Sequence, residues 1–251
     1  MIDLSRQDDI AILRMAHGKA NTLDVEFCDA LAGAFGELRN SEARAAIIVG
    51  TGNIFSAGVD LLRVSADGEA YVRRFLPALH RMFDAAFNLP KPLIAAVNGH
   101  AIAGGCVLAC CADVRIAARG QGRIGVTELL VGVPFPALAF EVMRFAANRQ
   151  YLPDIMLTGA TWLSDDARQR GLVDEVVEPA ELMNRSLAAA KGLANLSPAA
   201  FATTKEQLRQ PVADRMAQHA VRVDKRVEEI WTSPDTIRHI RDYVAKTFKK
   251  G

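Results

Sequence analysis

Lys91-Pro92-Leu93-Ile94-Ala95-Ala96-Val97-Asn98-Gly99-His100-Ala101-Ile102-Ala103-Gly104-Gly105-Cys106 is the stretch on which the fold turns. Leu93–Val97 is apolar at every position, which reads as a strand buried on both faces. The prolines before it end the preceding helical pattern. Asn98-Gly99-His100 reads as a turn, and Gly104-Gly105 opens a buried helix running to about Ala112. Between Pro92 and Ala112, 21 residues carry no formal charge, long enough in principle to span a bilayer. The glycine interruptions predict two buried elements of a soluble core instead, and so no membrane partner.

Working outward, the same strand-then-glycine arrangement occurs once more upstream. Ala45–Val49 is a second buried strand, followed by Gly52-Asn53-Ile54-Phe55-Ser56-Ala57-Gly58-Val59-Asp60-Leu61. Helical spacing of Cys28, Leu31, Phe35 and Leu38 predicts a helix over Asp24–Asn40, and Phe75, Leu79, Met82, Phe83 and Ala86 predict another over Arg74–Leu89. Asp9–Met15, Val114–Ala117 and Leu172–Val177 read as further strands. Ser164 is placed as the N-cap of a short helix at Asp165–Arg170, which Gly171 closes. Short apolar strands separated by helices imply parallel pairing through crossovers. After Pro179 the pattern is helical: Ala180–Leu196, Pro198–Gln210, Val212–Trp231 and Pro234–Lys249. Ser197-Pro198 and Ser233-Pro234 supply N-cap and first-turn proline. The expected organisation is an α/β core over residues 1–195 and an all-helical region over 196–251.

Composition bounds the function. The 251 residues are 50% hydrophobic and 24% charged, with Lys+Arg 30 against Asp+Glu 29. That balance removes the basic field of a general nucleic-acid binder. Four cysteines without framework spacing read as inert core thiols of a reducing compartment. The acids in Met1-Ile2-Asp3-Leu4-Ser5-Arg6-Gln7-Asp8-Asp9-Ile10 do not resemble an export signal, so the expected location is cytoplasmic. There is no GxSxG, GxxxxGK[ST], HExxH or CxxC, and the five histidines lack metal-ligand spacing, so no metal is expected. Two loops remain. Small residues where strands leave a sheet let backbone N–H groups approach a ligand, and two such loops can converge on one oxygen atom. Taken alone, each is an ordinary glycine turn.

Together they are more specific. Phe55 through Leu61, Lys91 through Ala101, Gly104-Gly105-Cys106, Ala112-Asp113, Gly125-Val126-Thr127-Glu128, Leu157-Thr158-Gly159 and Gly171-Leu172-Val173 follow one another in an order that resembles the crotonase (enoyl-CoA hydratase/isomerase) superfamily. The likeness extends from Lys19-Ala20-Asn21-Thr22-Leu23 to the helical tail. It implies a spiral of ββα turns with a C-terminal helical region that forms trimers, often paired into hexamers. It implies a coenzyme A thioester as substrate, with no separate cofactor. By position, the N–H groups of Val59 and Gly104 would hold the thioester oxygen. Ser56, Ala57, Gly58 and Asp60 would line the coenzyme A channel, with Lys19 and Ala20 near the pantetheine or nucleotide. Asp60 itself is read as a structural cap. Gly105, Thr127 and the apolar Val107 and Phe135 would complete the substrate wall.

Family hydratases carry two glutamates, and here the two positions hold Val107 and Glu128. Valine cannot support the water that such a pair activates. A lone carboxylate suits the isomerases that move a double bond from C3 to C2, with Glu128 as the base. Leu129, Leu130, Val131 and Phe135 are expected to desolvate it and raise its pKa. Asp113 is read as structural and Glu141 as solvent-facing. Ala103 replaces a glycine often found in the family run. Rival expectations are a hydratase, a hydrolase, decarboxylase or dehalogenase on the same fold, and a silent acyl-CoA binder. Val221, Val223, Val227, Ile230 and Trp231 are a stripe that a monomer would struggle to bury, so a homotrimer or homohexamer is expected.

Overall fold

The computed structural model describes residues 1–248. Among the described residues, nine strands form two sheets. The larger holds β1 (Ile2–Gln7), β2 (Ile10–Met15), β3 (Ala45–Val49), β5 (Leu93–Val97), β7 (Val114–Ala118) and β9 (Glu175–Val177), in that order. β1 pairs antiparallel with β2, and every later pairing is parallel. The smaller sheet is β4 (Ile54–Ser56), β6 (His100–Ile102) and β8 (Ile124–Gly125), all parallel. Each pair β3–β4, β5–β6 and β7–β8 gives one strand to each sheet before the chain turns back, which is a ββα spiral. Its helices include α1 (Val25–Asn40), α2 (Leu61–Phe87) and α3 (Gly104–Cys110).

Apolar runs without alternation make the large sheet two-faced. Ala46 and Ile48 of β3 pack into the main core, and Ala45, Ile47 and Val49 face Leu182, Ala190 and Ala194 of α7 (Leu182–Ala194). The remaining helices are α4 (Ala137–Ala146), α5 (Leu152–Thr158), α6 (Ser164–Gln169), α8 (Pro198–Trp231) and α9 (Pro234–Phe248). Lys249, expected in the last helix, lies outside the described residues.

Several expectations need correcting. The helix expected to start at Arg74 begins at Leu61, because Gly68 adopts φ 59, ψ −141 and joins two helical pieces across a kink. The two helices expected on either side of Pro211 are one. Proline removes one N–H bond on the exposed face, and the buried line Lys205, Arg209, Val212, Val227 and Trp231 holds the helix through it. Leu163, not Ser164, caps α6. The strand expected from Leu172 shortens to β9, since Asp174 Oδ2 takes the Arg115 N–H at 2.7 Å in place of a ladder bond. Glu141 does not face solvent: it is 8% exposed and pairs with Arg144 and with Arg215 of α8. Asp113 sits between Lys205 Nζ at 2.6 Å and Arg209 Nη2 at 2.7 Å, and accepts the Leu93 N–H. Among the described residues no helix is long and apolar enough to cross a membrane. All four cysteines are free and buried.

Candidate active site

The strand-end loops of the small sheet meet. After β4 the chain passes Gly58 at φ 80, a conformation that suits glycine. A Cβ there would stand 2.6 Å from the Ile102 carbonyl oxygen and 2.8 Å from the Ala103 methyl, so only glycine lets the two loops touch. After β6 the chain turns at Ala103, whose φ 51, ψ −127 is the first central position of a turn that normally carries glycine. Ala103 is held by its N–H to Gly125 O at 2.9 Å and by the amides of Cys106 and Val107 on its own carbonyl.

Two backbone donors result. The N–H of Gly104 opens α3 and therefore has no intrahelical acceptor. The Val59 N–H lies between two bonds to the neighbouring strand-like segment, Leu23 N–H to Gly58 O and Asp60 N–H to Leu23 O. Neither the Val59 nor the Gly104 amide donates to an acceptor among the described residues. Free donors on a fixed backbone are what an oxyanion needs.

Glu128 faces the same cavity from a short 3-10 turn over Glu128–Val131, which Gly132 closes at φ 77. The side chain is 6% exposed, and its Oε2 has no hydrogen-bond partner. Burial pushes its pKa up to about 8, partly offset by the backbone N–H groups of Glu128 and Thr127. The expected desolvating residues divide. Val131 and Val133 are buried and line the cavity, whereas Leu129 and Leu130 are 40% and 47% exposed and point away.

The cavity is about 300 Å³. Of the residues placed there by sequence, Ala20, Ala57, Val59, Asp60, Thr127 and Glu128 line it. Asp60 also caps α2, taking the Arg63 N–H at 3.1 Å on its carboxylate. Gly58 and Gly104 form the loop contact just behind the wall. Lys19 is exposed beside Ala20. Four expectations are displaced. Ser56 is wholly buried and bonded within the loops rather than lining a channel, and Gly105 packs against it. Val107 is wholly buried in the core, one helical turn behind the cavity wall. Phe135 lies in a separate, larger groove of about 840 Å³ with Leu129, Phe140 and Val223. Trp231, expected in a stripe covered by another copy, and Tyr243, which gave no local sequence signal, close the cavity from the C-terminal helices. His100 accepts the Arg123 N–H at 3.1 Å and is structural. Among the described residues no cluster of His, Cys, Asp and Glu has metal-site geometry.

The geometry sets two free amides and one buried, unpaired carboxyl around a small apolar cavity. The family model described as enoyl-CoA hydratase/isomerase matches residues 5–247. The chain belongs to this family. A carnitinyl-CoA dehydratase of Salmonella paratyphi A is 33% identical over 207 residues, covering 82% of this chain and 78% of that one. An enoyl-CoA hydratase of Mycobacterium ulcerans superposes with a TM-score of 0.83 at 26% identity, covering 89% of this chain and 98% of that one. Human mitochondrial delta3-delta2-enoyl-CoA isomerase superposes with a TM-score of 0.93 over 100% of this chain and 99% of its own, and at 21% identity this shows the fold alone. Membership makes the protein an acyl-CoA enzyme of the hydratase/isomerase class, with the crotonase fold.

Proposed function

We propose that this enzyme shifts the double bond of a 3-enoyl-CoA to the 2-position, with Glu128 as the sole acid–base group. The observation that carries the reading is the isolation of Glu128: one buried, unpartnered carboxyl oxygen at the cavity wall, with apolar Val107 packed into the core where a second glutamate would be needed. Ionised Glu128 takes a proton from C2. The C2–H electron pair delocalises through the C3–C4 double bond and the carbonyl, placing negative charge on the thioester oxygen. The Val59 and Gly104 N–H groups stabilise that oxygen. Protonated Glu128 then delivers the same proton to C4, leaving a C2–C3 double bond. Nothing is gained or lost, so no cofactor, metal or water is required. A pKa near the working pH suits a group that must both take and return a proton.

The second reading is hydration or dehydration at C2–C3, favoured by the names of the hydratase and dehydratase relatives. The deciding experiment is turnover of paired 3-enoyl-CoA and 2-enoyl-CoA substrates by wild type and Glu128→Gln, with products weighed by mass spectrometry. The isomerase predicts a mass-neutral 3-to-2 shift that the substitution abolishes. Gain of one water on the 2-enoyl substrate would replace this reading with the hydratase. Tight acyl-CoA binding without turnover of either would leave a silent binder.

Assembly follows from the same surface. Val227 and Trp231 are buried on their own core, but Leu157 on the wall of the large groove is 70% exposed and Val221 of α8 is 88% exposed. We infer that copies of this chain cover that face in a trimer or hexamer, which sedimentation velocity would read directly.

A further inference from the structure

Asn21 is 1% exposed, adopts φ 47, and is not among the residues that line the cavity. Left-handed backbone is uncommon outside glycine, although asparagine is among the residues that adopt it most readily. Every polar group of this residue is engaged. Its Oδ1 accepts the His17 N–H at 2.8 Å, and its Nδ2 donates to Phe55 O at 3.1 Å. Its own N–H donates to His17 O at 3.0 Å, and its carbonyl accepts the Ser56 hydroxyl at 2.7 Å. Ser56 Oγ in turn accepts the Gly58 N–H at 3.2 Å. Gly58 O is held from the other side by Leu23 N–H at 2.8 Å.

The chain of bonds therefore runs from Asn21 through Ser56 to Gly58, and the next amide is Val59. The peptide unit between Gly58 and Val59 carries both the Gly58 carbonyl, pinned by Leu23, and the Val59 N–H, which is free. Pinning the carbonyl fixes the plane of that peptide, and the N–H points opposite to it. Holding the Gly58 amide fixes where the plane begins. With φ 80 at Gly58, a glycine has many other conformations available, and something outside it must select this one.

We propose that Asn21 and Ser56 are positioning residues that aim the Val59 N–H at the substrate's carbonyl oxygen. They touch no substrate atom and act by removing the freedom of Gly58. The inference rests on the acyl-CoA reading of the site but not on which reaction follows, because isomerase and hydratase both need a polarised carbonyl.

The test uses a saturated acyl-CoA labelled with 13C at the thioester carbonyl, which binds but has no double bond to react. Isotope-edited infrared spectroscopy reads the carbonyl stretch, which falls in frequency when the oxygen accepts strong hydrogen bonds. Wild type, Ser56→Ala and Asn21→Asp are compared, with Ile47→Val, on the far face of the large sheet, as a control for general loosening. The expected result is a downshift in wild type and in the control that shrinks in both loop variants. Turnover on the active enoyl substrate falls on the order of 10- to 100-fold in kcat, with KM little changed. A full downshift and unchanged kcat in Ser56→Ala and Asn21→Asp would overturn the positioning role and leave the acyl-CoA reading intact. No downshift in wild type would remove both. A loss of kcat in the control equal to that in the loop variants would reduce the effect to stability.

Discussion

Glu128 is a buried acid and Asp113 a largely enclosed one, and their surroundings are opposite. Asp113 is met by Lys205, Arg209 and the Leu93 amide, so its charge has three partners. The arrangement ties α8 to the ends of β5 and α3. Glu128 has one carboxyl oxygen with no partner, in a cavity whose walls include Val59, Val131 and Val133. A fold that can surround one acid with two cations leaves the other bare. Burial of an unpaired acid is destabilising in its ionised form, and a base that must accept a proton uses that disadvantage. Asp113 is an element of structure, whereas Glu128, on the function proposed above, is the base kept bare for substrate.

The largest expected effect falls where the comparison is sharpest. Glu128→Gln keeps shape and removes the base, and is expected to lower kcat by about 10²- to 10⁴-fold with acyl-CoA affinity retained. The same substitution has an opposite effect on stability. The folded pKa of about 8 lies above the ordinary value of 4.5, so the native state holds a proton that the unfolded chain releases. Wild-type stability therefore declines as pH rises from about 4.5 to about 8, by up to a few kcal/mol, and then levels. Denaturant midpoints for the glutamine variant should lack that decline. A glutamine variant that tracks wild type across this range would mean Glu128 is better solvated than its burial indicates.

Asp113→Asn should reverse the pattern. It leaves Lys205 and Arg209 buried against each other without a carboxylate, at a cost of about 3–5 kcal/mol. A fall in Tm on the order of 10 °C is expected, with turnover per folded molecule unchanged. Lost turnover without lost stability would erase the distinction between the two acids.

A subtler effect concerns pH and rate. The free enzyme must bear an ionised Glu128 to act, so kcat/KM should climb through neutral pH and level off above about 8. In the glutamine variant the residual rate should lose this limb.

The difference between the two acids was only partly legible in the sequence. Period-one apolar runs such as Leu93–Val97 carry their own signal, since a strand buried on both faces has little choice of residue. The three-residue strands at 54–56 and 100–102 carry none, because pairing between loops far apart in sequence creates them. Asn21 was legible only as part of a family-like run; its function depends on Phe55 and Ser56, more than thirty residues away. Val107 and Phe135 were misplaced for a related reason. Apolar residues beside a site look alike in sequence, and helix direction alone decides which ones reach the cavity. The loneliness of Glu128 is likewise a property of its neighbours. Nothing in Thr127-Glu128-Leu129 announces that Leu129 and Leu130 point out and Val131 and Val133 point in.

Ala103 brings the comparison to its smallest scale, because it places strain beside the bare acid. Its φ 51, ψ −127 costs an alanine on the order of 1–3 kcal/mol, whereas glycine adopts it freely but adds disorder to the unfolded chain. Ala103→Gly should therefore stabilise the protein by about 1 kcal/mol and raise Tm by about 2–4 °C. The methyl group is not idle, however. It stands where the two loops touch, against Gly58, and one residue before the Gly104 donor. Removing it frees the turn to sample other conformations, so kcat should fall severalfold even as the protein becomes harder to melt. Higher Tm with unchanged kcat would show that the fold holds the Gly104 amide in place without the methyl. Lower Tm would show that its packing outweighs the strain, and that this loop, like Asp113, is built for stability first.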